Sequence, residues 1–247
     1  MNDLSDQLSN CKTGCMVGNV LINHLMYAND LAIVSPSSAG FQELLNICSN
    51  YGVNFDVNYN AKKSSVMICR VKGDTGLTFP SFYLSGQVLP VCSKTKYLGH
   101  IITDDLTDDD DMYRQRRMLY MQANLLTRRF SWCSERVKVD LFRSYCTPFY
   151  TAPLWSKFKK ASIRKLQVAY NDCLRILLGK PRWYSASELF CNVQVVTFHA
   201  LLRRLMFKFI CRLNSSCNDI LIMLTNPALS ASRYQSVMWK HWYVCLF

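Results

Sequence analysis

The sequence predicts an α+β fold, and three observations carry that prediction. Short apolar runs broken by turn residues occupy the chain up to residue 103, helical periodicity dominates after residue 111, and an aspartate-rich run separates the two. With 247 residues, half of them apolar, the chain has enough material for one large or two small cores. The organisation expected is a mixed region over 1–103, a solvated acidic linker over 104–111, and a helical region over 112–247.

The first element is a hairpin. Leu21-Ile22…Leu25-Met26 and Leu31-Ala32-Ile33-Val34 are β-type runs on either side of Tyr27-Ala28-Asn29-Asp30. Asn and Asp tolerate the positive φ that tight turns demand, so the turn is expected at Asn29-Asp30. Two carboxylates at such a tip would suit Mg²⁺, a hard cation that takes oxygen ligands. Here the first is an amide, which leaves Asp30 as the sole candidate metal ligand. Ser35-Pro36-Ser37-Ser38 then supplies a helix N-cap, and Phe41, Leu44, Leu45, Cys48 and Tyr51 follow helical spacing up to a stop at Gly52. Ser64 to Cys69 reads as a second strand, Phe79–Leu84 and Gln87–Val91 as a hairpin about Ser85-Gly86, and Tyr97 to Ile102 as a further strand.

The run Thr103–Asp111 holds six aspartates but lacks the glycine and closing glutamate of an EF-hand, so it reads as a solvated approach to a helix N-terminus. Apolar stripes then predict four helices: one carrying Met112, Leu119, Ala123 and Leu126; one over Val137–Cys146 stopped near Thr147-Pro148; one over Ile163–Leu177 closed by Gly179-Lys180-Pro181; and one over Val195–Leu213.

Charge is divided unevenly. Residues 1–110 carry 7 Lys/Arg against 11 Asp/Glu, whereas 111–247 carry 22 against 6, within a net charge of +12. Such asymmetry points the helical region toward a polyanion, with nucleic acid the leading candidate. The densest cationic cluster, Lys157, Lys159, Lys160, Arg164 and Lys165, follows Trp155, whose ring could stack on a base but is better read as core packing. Twelve cysteines, with no secretory leader in a polar, acidic N-terminus, predict reduced thiols that mostly fill core, in an intracellular protein. Cys11 and Cys15 have no downstream pair at zinc spacing, and His24 reads as a hydrogen-bonded core residue. With no apolar stretch of about eighteen residues, membrane insertion is not expected.

The order of motifs resembles the C-terminal part of reverse transcriptases from non-LTR (LINE-type) retrotransposons. Tyr27-Ala28-Asn29-Asp30 resembles the Y/F-A-D-D of palm motif C, Asn60-Ala61-Lys62-Lys63-Ser64 the N-x-x-K-S of motif D, and Tyr97-Leu98-Gly99 the Y-L-G primer grip of motif E. The likeness covers roughly residues 10–215. It implies a truncated polymerase palm followed by a thumb-like helical region, with fingers and motifs A and B expected to be absent.

By that resemblance Asp30 and Asn29 occupy catalytic positions, Lys63 lies near the triphosphate, and Tyr97, Leu98 and Gly99 support the primer end. In the family two Mg²⁺ ions clamp the primer hydroxyl and the incoming triphosphate. Asn29 removes one unit of negative charge from that pocket, so no metal is expected to bind productively and the chain is expected to be inactive. The partners implied are an RNA/DNA duplex or single strand, held without sequence preference, and a full-length element-encoded reverse transcriptase. The alternative is a recruited helical interaction or scaffold protein with no nucleic-acid role.

Overall fold

The structure, a computed structural model, describes residues 2–69 and 78–225. The chain divides into two units, Met1–Thr95 and Lys96–Phe247, ahead of the acidic run. Residues 226–247 of the expected helical region lie outside the described residues.

The first unit opens with α1 (Asn2–Asn10), which no periodicity argument anticipated; Leu4 and Leu8, one turn apart, are its buried face. Two hairpins follow, β1 (Cys15–Val17) with β2 (Val20–Ile22) and β3 (His24–Tyr27) with β4 (Asp30–Ile33). The expected continuous run from Leu21 to Met26 is broken by Asn23. That side chain is buried, and its amide donates to the Leu8 carbonyl at 2.6 Å and the Thr13 carbonyl at 3.0 Å. His24 is hydrogen-bonded through both ring nitrogens, Nε2 to Ser5 Oγ at 2.7 Å and Nδ1 to Asn23 Oδ1 at 2.8 Å, and burial lowers its pKa.

Helix α2 (Ser38–Asn54) starts where the sequence indicates: Ser37 Oγ accepts the Gly40 N–H at 3.2 Å. It does not stop at Gly52. The helix continues to Asn54, and the positive φ falls on Asp56 at 53°. Gly52 is glycine for another reason, since a Cβ there would lie 2.7 Å from the returning Val57 carbonyl oxygen. The strand expected over Ser64–Cys69 reduces to one parallel bridge, Val66 to Val91; Val66 is its one fully buried side chain. The hairpin β5 (Tyr83–Leu84) and β6 (Gln87–Val88) turns at Ser85-Gly86 as expected, and Gln42 of α2 pins it by exchanging two 2.9 Å bonds with the Tyr83 backbone. Among the described residues the strands form four separate two-stranded ladders, not one antiparallel sheet.

The remaining hairpin pairs β7 (Lys94–Tyr97) with β8 (His100–Thr103). The single strand expected over 97–102 is thus a tight turn, with positive φ at both Leu98 (46°) and Gly99 (81°), the backbone of a type I′ turn.

Helices α3 (Asp109–Arg129), α4 (Glu135–Tyr145), α5 (Lys160–Leu177) and α7 (Phe198–Asn214) match the four apolar stripes. The short α6 (Ala186–Asn192) and α8 (Asp219–Thr225) were not anticipated. Helices α3 and α5 pack most extensively together. Their core centres on Tyr170, which stacks on Phe190 with centroids 5.5 Å apart and lies 5.2 Å from Phe142 and 5.8 Å from Phe198. The Tyr170 hydroxyl is satisfied by the Val196 carbonyl at 3.0 Å.

All eleven cysteines among the described residues are free thiols, but only Cys48, Cys146 and Cys173 are buried. The expectation that most would fill core is therefore corrected. Burial pushes the Cys48 thiol up to about 11 and the Cys146 thiol up to about 12. Among the described residues no helix is long and apolar enough to cross a membrane.

Candidate nucleic-acid interface

The residues singled out by sequence fall into two groups. In the first unit, Tyr27 pairs with Asp30 across a two-residue turn made of Ala28 and Asn29. The turn thus sits one residue earlier than expected, and Ala28, not Asn29 or Asp30, takes the positive φ of 51°. Tyr27, Asn29 and Asp30 are all exposed. Lys63 is exposed in a turn organised by Asn60, whose Oδ1 accepts the Lys63 N–H at 3.1 Å. Neither Asn29 nor Asp30 makes a hydrogen bond or ion pair with Lys63. Among the described residues no group of three or more His, Cys, Asp or Glu is placed to hold a metal ion.

In the second unit, distant segments converge on the acidic run. The solvated reading of that run fails at two positions, for Asp108 and Asp111 are buried. Asp111 Oδ2 accepts the Trp155 indole N–H at 2.8 Å and the Thr151 hydroxyl at 2.9 Å, and its Oδ1 accepts Arg114 Nε at 2.8 Å and the Ile101 N–H at 3.2 Å. His100 Nδ1 lies 3.2 Å from the same carboxylate. Burial alone would raise this carboxyl's pKa, but the bonds from His100, Arg114, Trp155 and Thr151 outweigh it and hold the group well below the usual carboxylate range.

Asp108, which precedes α3, sends its carboxylate across to the backbone N–H groups of Ser156 and Lys157 at 2.7 and 2.8 Å, while His100 Nε2 stands 3.6 Å away. Asp109 Oδ1 adds the Lys159 N–H at 3.0 Å. The turn Tyr97-Leu98-Gly99 and the cationic segment 157–165 are thereby fixed to the same start of α3.

Gly99 has a local role. Tyr150 packs directly on it, so a Cβ would overlap the Tyr150 hydroxyl, and that hydroxyl sits 3.5 Å from the Leu98 carbonyl. Leu98 is half-exposed. Trp155 is 2 % exposed, which places its ring in the core and not on a binding surface. Lys157, Lys159, Lys160, Arg164 and Lys165 are all exposed. Four of them belong to the cap or first turns of α5, which has no acidic residue in its first turn. Cations there oppose the helix dipole, whose positive end favours anions, so stability does not explain them.

His100, Asp108, Asp111 and Tyr150 escaped the sequence reading. A faint signal existed in Asp111 and Arg114, an i,i+3 pair of opposite sign.

Among curated proteins, the chain is similar to the RNA-directed DNA polymerase from mobile element jockey of Drosophila funebris, with 25% identity over 229 residues. That alignment covers 85% of this chain but 24% of the relative, so the chain spans about a quarter of that protein's length. The likeness supports a relationship to LINE-type reverse transcriptases. No family model matches, and no solved structure matches.

Proposed function

We propose that this chain is a C-terminal reverse-transcriptase segment that holds nucleic acid without polymerising it: a partial palm over the first unit and a thumb-like helical unit after it. The observation that supports it is that Asp108 accepts from the backbone N–H groups of Ser156 and Lys157 while facing His100, which ties both the residue after the Leu98-Gly99 turn and the segment leading into α5 to the start of α3. A row of exposed cations on a fixed frame suits phosphates at regular spacing and reads no base sequence. An RNA–DNA duplex is the partner of best fit.

Catalytic silence follows from Asn29. An amide oxygen is neutral, and Asp30 alone supplies too little negative charge to gather two divalent ions around a triphosphate. Templated DNA synthesis by the purified chain would overturn this part of the reading.

Binding to a mixed RNA–DNA duplex at several salt concentrations tests the rest. Affinity should fall steeply with salt, and neutralising Lys157, Lys159, Lys160, Arg164 and Lys165 to Gln should flatten that slope by roughly 0.7–0.9 per lost phosphate contact. Absent or salt-independent binding would remove the proposal and leave the scaffold alternative in its place.

A further inference from the structure

The helical unit exposes two tryptophans at the end remote from the cationic segment. Trp132 is 82 % exposed and Trp183 is 85 % exposed, against 2 % for Trp155. An isolated exposed leucine needs no explanation, but two indoles in water at one end of a helical unit do. Trp132 follows the last turn of α3, which carries Arg128 and Arg129; Trp183 lies in the loop Lys180-Pro181-Arg182-Trp183-Tyr184 after α5. Helices α3 and α5, of 21 and 18 residues, start together where Asp109 Oδ1 accepts the Lys159 N–H and pack more extensively than any other pair, so the loops that follow their last turns lie at the same end of the unit. There the Tyr184 hydroxyl donates to Glu188 at 3.0 Å.

Both loops are held. Arg175 Nε donates to the Tyr184 carbonyl at 2.9 Å, Lys180 N–H closes on the Arg175 carbonyl at 2.8 Å, and the Tyr184 N–H closes on the Pro181 carbonyl at 3.0 Å. On the other side, Lys138 Nζ donates to the Ser131 carbonyl at 2.8 Å. The indoles are therefore presented on fixed backbone. The nearby acids are largely engaged: Asp172 with Arg175 at 2.9 Å and Arg182 at 3.7 Å, and Glu188 with Tyr184. Arg182 remains 83 % exposed on its side chain.

We infer that Trp132 and Trp183, with Arg128, Arg129 and Arg182, form a stacking platform for single-stranded nucleic acid, separate from the duplex surface. Indole faces take unpaired bases, which a duplex keeps stacked on one another, and the guanidinium groups take the intervening phosphates. RNA and DNA share this chemistry.

The test uses the full chain and labelled oligo-U and oligo-dT of about twelve nucleotides, a length within single-strand site sizes, beside a mixed duplex of equal length. Trp132→Ala with Trp183→Ala should weaken single-strand binding about tenfold to hundredfold and leave duplex binding within about twofold. The paired Trp→Phe variant, which keeps an aromatic face, should retain most of it. Neutralising the 157–165 cluster should do the converse, so failure here is separable from failure of the duplex reading. Unchanged single-strand affinity in the double alanine variant would overturn the inference. So would parallel loss of both ligands, or loss only of self-association measured by sedimentation.

Discussion

Two tight hairpin turns, Ala28-Asn29 and Leu98-Gly99, invite comparison because each carries one of the motifs that suggested a polymerase. The first is bare: its polar residues, Asn29 and Asp30, are exposed. The second is embedded. Ile101 and His100 meet the buried carboxylate of Asp111, and Tyr150 closes over Gly99. A turn intended for metal chemistry needs carboxylates from elsewhere to converge on it, whereas a turn that supports a ligand needs only a rigid base. The structure gives the second turn such a base and leaves the first in solvent.

Breaking the embedded turn should cost most. Asp111→Ala leaves Arg114 and the Trp155 and Thr151 donors without their shared acceptor, and should destabilise the helical unit by about 3–5 kcal/mol in chemical denaturation. Asp111→Asn sharpens the point through pH. A carboxyl whose folded pKa is depressed contributes stability that is fully present above its unfolded value, ordinarily 3.8, and lost as pH falls below it. The gap in unfolding free energy between wild type and Asp111→Asn should therefore be widest above about pH 5 and narrow on acidification.

Gly99→Ala should cost less, about 1–2 kcal/mol, from a positive φ and the displaced Tyr150 ring. Adding Tyr150→Ala should recover the steric part alone, so a double-mutant cycle would show a coupling between the two sites. The bare turn should be nearly indifferent. Asn29→Asp and Asp30→Asn should each stay within about 0.5 kcal/mol of wild type in thermal unfolding. A loss of Asp111's size at Asn29 would erase the contrast between the turns.

The helices were legible because a buried stripe repeats every three or four residues, as in Leu166, Ala169, Tyr170, Cys173 and Leu177, all of which lie in the core. Ser37 and Gly179 were legible as punctuation: Gly179 takes a φ of 65° after α5, and the Lys180 N–H reaches back to the Arg175 carbonyl. The strands read less well. Two-residue ladders such as Tyr83–Leu84 are too short for alternation to register, and the turn inside Tyr97–Ile102 falls partly on a leucine that propensity would not place at positive φ.

At the candidate interface, the cations were visible and their frame was not. A run of aspartates looks solvated until the donors that bury it are known, and Thr151 and Trp155 lie 40 and 44 residues further along the chain.

Asp108 and Asp109 grip the segment after Trp155 by its peptide groups, not by its ammonium ends. At 156 and 159 the hold is on a peptide N–H, which every residue but proline supplies, so those side chains are free to vary while the main chain keeps its path; at 157 the ammonium group also reaches the Asp105 carbonyl, and there side chain and scaffold remain coupled.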